Sequence, residues 1–253
     1  MKYLIILFSS ILLFLSCVEN KDAKTKKQDL NAQLIVDKAI DISCQGNCDQ
    51  ATIKFTFRDR IYKSKRYNGD FLLERFKNDS LDVIHDVLSN SGLKRYKNDS
   101  LIVVPDSIAI NIGDGVNSVH YFAQLPYGLN SSAVHKKLLG EDIIKEQTYY
   151  EIEVTFSEEG GGTDYDDRFV YWIHKENFSL DYLAYKYATN GGGIRFREAY
   201  NIRTVEGIRF VDYNNFKPLS LEIKLEDLDK LFEKGELNLL SKIETENVEV
   251  EIL

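Results

Sequence analysis

Alternation of apolar and polar residues runs through much of this chain and predicts many β-strands. Residues 52–62 place Ile53, Phe55 and Phe57 between polar neighbours, and a period of two is typical of a half-buried strand. Turn signals such as Asn-Gly, Asn-Asp-Ser and Pro-Asp separate further runs. We therefore predict strands also at residues 69–76, 81–88, 92–96, 100–104, 107–112, 148–156, 167–174, 180–188, 193–200, 207–213, 218–225 and 247–252.

Apolar residues take a helical spacing in a few other segments. The first of them carries Leu34, Ile35 and Ala39 at this spacing. We predict helices at residues 31–42, 116–125, 132–139 and 225–233. An N-terminal helix, a strand meander, a helical insertion and more meander predict an α+β fold, in which one curved antiparallel sheet, like a half-barrel, wraps a few short helices.

The first residues have the pattern of an export signal. Their apolar run is too short for the ~20 apolar residues of a membrane-spanning helix. Phe-Leu-Ser before Cys17 matches a bacterial lipobox, whose cysteine receives diacylglycerol; an ordinary signal peptide with an incidental cysteine is the alternative. We predict a lipoprotein signal peptide at residues 1–16, a lipidated Cys17 with a flexible tether at residues 17–29, and a single domain at residues 30–253.

The predicted anchor places the mature protein in the cell envelope, on the periplasmic side or on the surface of the outer membrane. The chain has 32 Lys and Arg against 40 Asp and Glu, a net charge of -8. Because phosphate contacts need clustered basic residues, this acidic balance excludes nucleic acid as a partner. The 43% of hydrophobic residues is enough for a sizeable core.

Cys44 and Cys48 form a CxxxC pair in the segment SCQGNCDQ. Export to an oxidising compartment favours a disulfide across this short loop. Free thiols and redox or metal chemistry are the alternatives, although two thiolates without a second Cys or His pair make an incomplete zinc site.

The sequence shows two resemblances, and both imply the same fold. The order of elements resembles the half-barrel of periplasmic lipoprotein carriers, in which a curved sheet wraps helices around an apolar cavity. The segments FTFRDRIY, VNSVHYFAQLPYGLN, VTFSEEGGG, FVYWIH, DYLAYKY and GGGIRFREAYNIR are similar to those of a family of uncharacterised lipoproteins common in Bacteroidota. This second resemblance covers residues 32–216; it implies an envelope location and the same fold, and brings no known activity with it.

Aromatic residues give the strongest compositional signal, with 15 Tyr and 14 Phe. Most aromatic side chains on strands serve the core and cross-strand pairs. On the inward face of a half-barrel, however, they also meet an apolar ligand, and a tyrosine hydroxyl satisfies polar atoms inside such a cleft. Our candidate ligand-binding residues are His120, Tyr121, Phe122, Tyr185, Arg195 and Arg197.

Some of these candidates have a second interpretation. Period two puts Arg195 and Arg197 on one face, where two guanidinium groups clamp an anionic head group or carboxylate. The same arginines would otherwise pair with Asp181 or Asp212 on neighbouring strands, as a solvated ladder. A lone histidine among aromatics, such as His120, also fits a hydrogen-bonded structural role.

The evidence for metal binding or catalysis is weaker than the evidence for ligand binding. The acidic turn at residues 158–167 has oxygen ligands for Ca²⁺, but its spacing fits no EF-hand and a solvated hairpin tip is the more usual role. None of the four His has a recognisable nucleophile or metal arrangement, although His174 and Asp181 would meet across a hairpin. We predict no metal and no cofactor, and the catalytic residues of any enzyme are unknown.

Three functions therefore follow from the sequence. The first is a membrane-anchored lipoprotein that binds or carries an apolar or amphipathic ligand, such as a lipid, in a half-barrel cavity. The second is a hydrolase that uses His and carboxylates. The third is a non-catalytic structural or partner-binding lipoprotein. An apolar cavity favours the first, and a polar cleft that converges on His and Asp favours the second.

Overall fold

The structure of the chain, a computed structural model, describes residues 21–79 and 81–253. Side chains are described for residues 32–79, 81–189 and 191–253. The predicted signal peptide and the predicted lipidation site, Cys17, lie outside these residues. The described residues form three α-helices and fourteen strands.

The strands form two seven-stranded antiparallel sheets. The first sheet contains β1 (Ala51–Phe57), β2 (Arg60–Tyr67), β3 (Asp70–Asp79), β4 (Asp82–Ser89), β5 (Gly92–Lys97), β6 (Ser100–Ile102) and the last strand, β14 (Glu246–Ile252). The second contains β7 (Val134–Ile144), β8 (Gln147–Phe156), β9 (Arg168–His174), β10 (Leu180–Tyr187), β11 (Gly193–Val205), β12 (Ile208–Lys217) and β13 (Asn238–Ile243).

In both sheets, strands that follow each other along the chain are neighbours, with one exception. Strand β14 leaves the edge of the second sheet and pairs with β1 of the first, where Val250 lies opposite Ile53. The crossover at Glu244 and Thr245 therefore joins the edges of the two sheets.

The three helices cover different surfaces. They are α1 (Lys21–Cys44), α2 (Asp106–Ala123) and α3 (Leu228–Glu233). Helix α1 packs on one face of the second sheet, where Val36 and Ala39 share a core with Tyr171. Helix α3 packs on the opposite face, where Leu228 shares a core with Trp172. Because both faces are covered, residues 169–173 of β9 are buried without alternation.

Helix α2 lies against the first sheet and reaches the second sheet with its last turn. His120 packs edge-on against the rings of Phe55 and Tyr62 of the first sheet, with ring centroids 5.7 and 5.6 Å away. Phe122 lies 6.2 Å from Phe169 of the second sheet. The C-terminal end of α2 therefore contacts both sheets.

The predicted α+β class, with antiparallel strands and few helices, is confirmed. The strands are divided between two sheets, where we expected one. The division arises at α2, because the helix ends the first meander after β6 and β7 then starts a new one. The sequence does not indicate where the first sheet ends and the second begins, since the strands of both sheets have the same alternation of apolar and polar residues.

Two segments have the opposite structure to the one predicted. Residues 107–112, predicted as a strand, begin α2: the buried positions Ile112, Val116 and His120 recur every fourth residue, and the alternating Ile108 and Ile110 are 45% and 50% exposed. Residues 132–139, predicted as a helix, contain the start of β7, which alternates exposed and half-buried residues as a strand does.

Other differences concern boundaries. Residues 218–224, most of a predicted strand, have no regular structure, and Leu219 and Leu221 are exposed because no strand covers them. Strand β13 was not predicted. Helix α1 is longer than predicted and begins at Lys21, within the residues assigned to the tether. No helix in the described part of the chain is long and apolar enough to cross a membrane.

Cys44, the last residue of α1, is joined to Cys48 by a disulfide. Both residues are buried in a core with Ile53 and Phe55 of β1. The disulfide therefore lies at the point where the chain leaves α1 and enters the first sheet.

Candidate ligand-binding site

A cavity of about 320 Å³ opens where α2, the end of β1 and the inward face of the second sheet meet. Its apolar lining consists of Phe57, Val119, Phe122, Ala123, Val211 and Ile243. Its polar lining consists of Arg58, Ser118, Tyr185, Arg197, Tyr213, Asn215, Ser241 and Thr245. Its size falls at the lower end of the about 300–1,000 Å³ typical of small-molecule sites.

Strand register brings the residues from the second sheet to one face. Leu183 lies opposite Arg197 across the β10–β11 pair, and Arg197 lies opposite Asn215 across the β11–β12 pair. Tyr213 in turn lies opposite Ile243 of β13. Because side chains alternate along a strand, Arg197, Asn215 and Tyr213 share the inward face.

Arg197 is the central polar residue of the cavity and is only 7% exposed. Its Nη2 donates a hydrogen bond of 2.7 Å to the Tyr185 hydroxyl. Its guanidinium carbon lies 3.9 Å from the centroid of the Phe122 ring and 5.1 Å from that of Tyr185. Such stacking stabilises a guanidinium through the negative face of an aromatic ring.

The remaining donors of Arg197 are unpaired. Within residues 32–79, 81–189 and 191–253, its buried Nε and Nη1 have no hydrogen-bond partner and no carboxylate lies within ion-pair distance. The buried Oδ1 of Asn215, across the strand pair, is unpaired as well. Buried polar groups are normally hydrogen-bonded, and each one left unpaired costs about 1–3 kcal/mol.

The cavity lining carries a positive charge in an acidic protein. Arg58 and Arg197 are its charged residues, and its described lining contains no Asp, Glu or His. Burial raises the pKa of Tyr213 to about 12, although the charges of Arg209 and Arg197 act to lower it. The Tyr213 hydroxyl is therefore protonated at neutral pH.

Arg195, two residues before Arg197, does not line the cavity. Its Nη2 donates to the Tyr187 hydroxyl at 2.6 Å, and its Nη1 donates to the Ile194 carbonyl at 2.8 Å. It is therefore held by its own strand and by the neighbouring strand β10.

The alternative in which these arginines form a ladder with Asp181 or Asp212 is wrong. Asp181 pairs with Arg209 at 3.0 Å, and Asp212 pairs with Arg203 at 3.1 Å. The register explains this result, because the two carboxylates already have arginine partners on neighbouring parts of the sheet. Arg195 and Arg197 bond to tyrosine hydroxyls instead.

His120 and Tyr121 precede Phe122 but face away from the cavity. His120 is fully buried against the first sheet, and its Nε2 lies 3.1 Å from the Glu74 carbonyl oxygen. Burial lowers the pKa of His120 to about 4, so the ring is neutral at pH 7. The Tyr121 hydroxyl lies 2.7 Å from that of Tyr171, and burial raises the pKa of Tyr121. Both residues fit a structural role.

The structure therefore brings together Phe122, Tyr185 and Arg197 of the candidates chosen from the sequence. It leaves His120, Tyr121 and Arg195 outside the cavity. Residues that sequence reasoning missed are Phe57, Arg58, Tyr213, Asn215 and Ser241. One signal for them was present in β12, where polar Asn215 follows Val211 and Tyr213 on the same face.

The remaining histidines show no catalytic arrangement. His174 Nδ1 accepts the backbone N–H groups of Glu176 and Asn177, and its Nε2 lies 3.2 Å from Gln147 Oε1. It does not meet Asp181, which pairs with Arg209. His85 lies 2.7 Å from Glu74, and exposed His135 lies 2.6 Å from the Ser157 hydroxyl; neither lines the cavity.

One glycine of the acidic turn, Gly161, has a packing explanation. A Cβ atom at Gly161 would lie 2.1 Å from the Ser157 carbonyl oxygen, so only glycine allows this close approach of the backbone. In the part of the chain with described side chains, no three His, Cys, Asp or Glu residues are grouped as metal ligands.

The fold and the cavity define this chain as an α+β protein of two antiparallel sheets with a cationic, partly apolar pocket between them. The chain belongs to the family of unknown function DUF6503, whose model matches residues 9–245. No curated protein shows significant similarity to it.

Solved structures resemble the chain at low identity. A DUF1329 family protein from Desulfovibrio piger is 13% identical, with a TM-score of 0.50 over 86% of this chain and 92% of that one. A LolA superfamily protein from Nitrosomonas europaea is 15% identical, with a TM-score of 0.49 over 88% of this chain and 94% of that one. At such identities a structural match describes the course of the backbone and not the chemistry of a site.

Proposed function

We propose that this protein is an envelope lipoprotein that binds an amphipathic small molecule in the cavity between α2 and the second sheet. The observation that carries the proposal is the cavity itself. It combines apolar walls from α2, β12 and β13 with eight polar residues, among which Arg197 is buried. In small-molecule sites apolar walls supply affinity and polar groups fix the orientation of the ligand.

The lining also supports binding over hydrolysis. General acid–base catalysis needs a group that exchanges a proton near neutral pH, most often His or a carboxylate. The described lining has neither. A hydrolase in this cavity would therefore lack its proton acceptor.

The location is part of the proposal. The lipobox before Cys17 and the apolar run ahead of it support export and lipidation. A lipid anchor would hold the cavity near a membrane surface, where amphipathic molecules are concentrated. A purely structural or partner-binding role is the competing proposal, and an empty cavity would favour it.

Native mass spectrometry of the protein purified from its own membrane tests this function. We expect a small amphipathic molecule to accompany the wild-type protein. Ser118→Trp places a bulky ring at the cavity, and this variant should lose the molecule. Asn111→Trp is the matched control, because Asn111 is an exposed residue of the same helix outside the cavity.

The possible results separate the proposals. Loss of the molecule in Ser118→Trp, with retention in Asn111→Trp, supports binding in this cavity. Absence of any bound molecule in the wild-type protein, or equal retention in both variants, contradicts it.

A further inference from the structure

We infer that the ligand of this cavity is a single-chain amphiphile with an anionic head group, a carboxylate or a phosphate, which binds to Arg197. The inference rests on the proposed function and adds the chemical class of the ligand. It is carried by the unpaired donors of Arg197, by the charge of the lining and by the size of the cavity.

Four half-buried arginines of the same protein pair with carboxylates. Arg75 and Arg95 share Asp86 at 2.7 and 2.6 Å. Arg203 and Arg209 pair with their own carboxylates at 3.1 and 3.0 Å. A charge removed from water needs such a partner, because desolvation without compensation is costly.

Arg197 departs from this pattern. It is more buried than these arginines, yet the described residues give it one tyrosine hydroxyl and the faces of aromatic rings in place of a carboxylate. Its Nε and Nη1 are left without acceptors. An anionic group in the cavity supplies both the missing acceptors and the missing negative charge, and guanidinium groups bind carboxylates and phosphates with charge-assisted hydrogen bonds.

Arg58 places a second positive charge in the lining of the cavity. It lies directly after β1, with its guanidinium carbon 5.0 Å from the centroid of the Phe57 ring, and no ion pair involves it among the described side chains. With two cations and no acid in its described lining, the cavity attracts anions although the chain as a whole carries a charge of -8.

The other end of the ligand is apolar. Val119, Ala123, Val211 and Ile243 line the cavity and offer no hydrogen-bonding side chain. A volume of about 320 Å³ suits one acyl chain and is small for two. The site therefore fits a fatty acid or a monoacyl phosphate.

Isothermal titration with amphiphiles of one chain length, below their micelle concentrations, tests the head group. We would use dodecanoate, dodecyl phosphate, methyl dodecanoate and dodecyltrimethylammonium, with inorganic phosphate as the head group alone. Dodecanoate and dodecyl phosphate should bind at least about tenfold more tightly than the neutral ester, and the cation should bind most weakly.

Variants assign this preference to one residue. Arg197→Leu should weaken binding of the two anions about 10- to 100-fold and leave the neutral ester nearly unchanged. Arg197→Lys should restore part of the preference because it keeps the charge. Arg195→Leu is the matched control: it removes an arginine from the same face of the same strand, outside the cavity, and should keep the preference.

The results distinguish this inference from the function on which it rests. Equal binding of anionic, neutral and cationic chains overturns the inference and leaves the ligand-binding function standing. Failure of all four amphiphiles to bind contradicts both. Inorganic phosphate that binds as tightly as dodecyl phosphate identifies a free-anion site and overturns the acyl-chain part. If Arg197→Leu does not fold, the head-group comparison on the wild-type protein decides alone.

Discussion

His120 allows a direct test of how α2 is placed between the two sheets. The ring is fully buried, its Nδ1 has no partner among the described residues, and its Nε2 bonds to the Glu74 carbonyl. Burial, assisted by the positive charge of Arg66, lowers the pKa of His120 to about 4. In the unfolded chain the pKa returns to about 6.5.

The sign of the effect follows from these two values. Between pH 6.5 and 4 the unfolded chain takes up a proton at His120 and the folded protein does not, so acid favours unfolding. Each pKa unit corresponds to about 1.4 kcal/mol. His120 should therefore lower the free energy of unfolding by about 2 kcal/mol between pH 7.5 and pH 5, and by about 3 kcal/mol once the pH is below 4.

The assay is urea unfolding of the wild-type protein and of His120→Gln at several pH values. Glutamine keeps an N–H donor for the Glu74 carbonyl and does not titrate. Other ionisable groups are common to both proteins, so the difference between the two curves isolates His120. The wild-type protein should lose about 2 kcal/mol more than the variant between pH 7.5 and 5. Parallel curves would refute the buried, neutral placement of the ring.

Three further predictions concern other parts of the molecule. Burial and neighbouring carboxylates raise the pKa of Glu151 to about 7, so the folded protein loses stability as the pH rises through 7. In urea unfolding at pH 8, Glu151→Gln should therefore be more stable than the wild-type protein by about 1–3 kcal/mol. A variant with the same pH dependence as the wild-type protein would contradict this. Asp86→Asn leaves Arg75 and Arg95 without their shared partner and should cost about 3–5 kcal/mol; a loss below about 1 kcal/mol would show that the pairs are solvated. Cys17→Ala should abolish labelling with radioactive palmitate and release the protein from the membrane fraction, and continued labelling would disprove the lipidation site.

Local periodicity predicted most of the strands, because side chains that alternate between a core and solvent leave a period of two in the sequence. Periodicity gave a wrong prediction where the fold leaves apolar residues of a helix exposed. Ile108 and Ile110 gave a strand pattern although they lie on the exposed part of α2. The pairing of β14 with β1 is set by contacts between residues far apart in the sequence, and no local pattern records them.

The candidate site was predictable to a similar extent. Phe122, Tyr185 and Arg197 emerged from the sequence because aromatic and basic residues are informative on a strand face or a helix. Arg195 and Arg197 have the same spacing, chemistry and face, and only the position of α2 decides that Arg197 lines the cavity. Arg58 was missed for the same reason, since its place at the end of β1 depends on how the two sheets meet.

The inward face of the second sheet changes its chemistry along the strand order. Near β9 it is filled by Phe169, Tyr171 and Ile173, which pack against α1 and α2. At the β11–β13 end the same face carries Arg197, Asn215 and Ser241, and a cavity stands where a core would otherwise continue. Larger apolar residues there would have closed the sheet against α2 and would have avoided several unpaired polar atoms, each of which costs about 1–3 kcal/mol. Polar residues that interrupt an otherwise well-packed core are expected at a functional site. The same polar residues that weaken this end of the core are the ones that would bind the head group of an amphiphile.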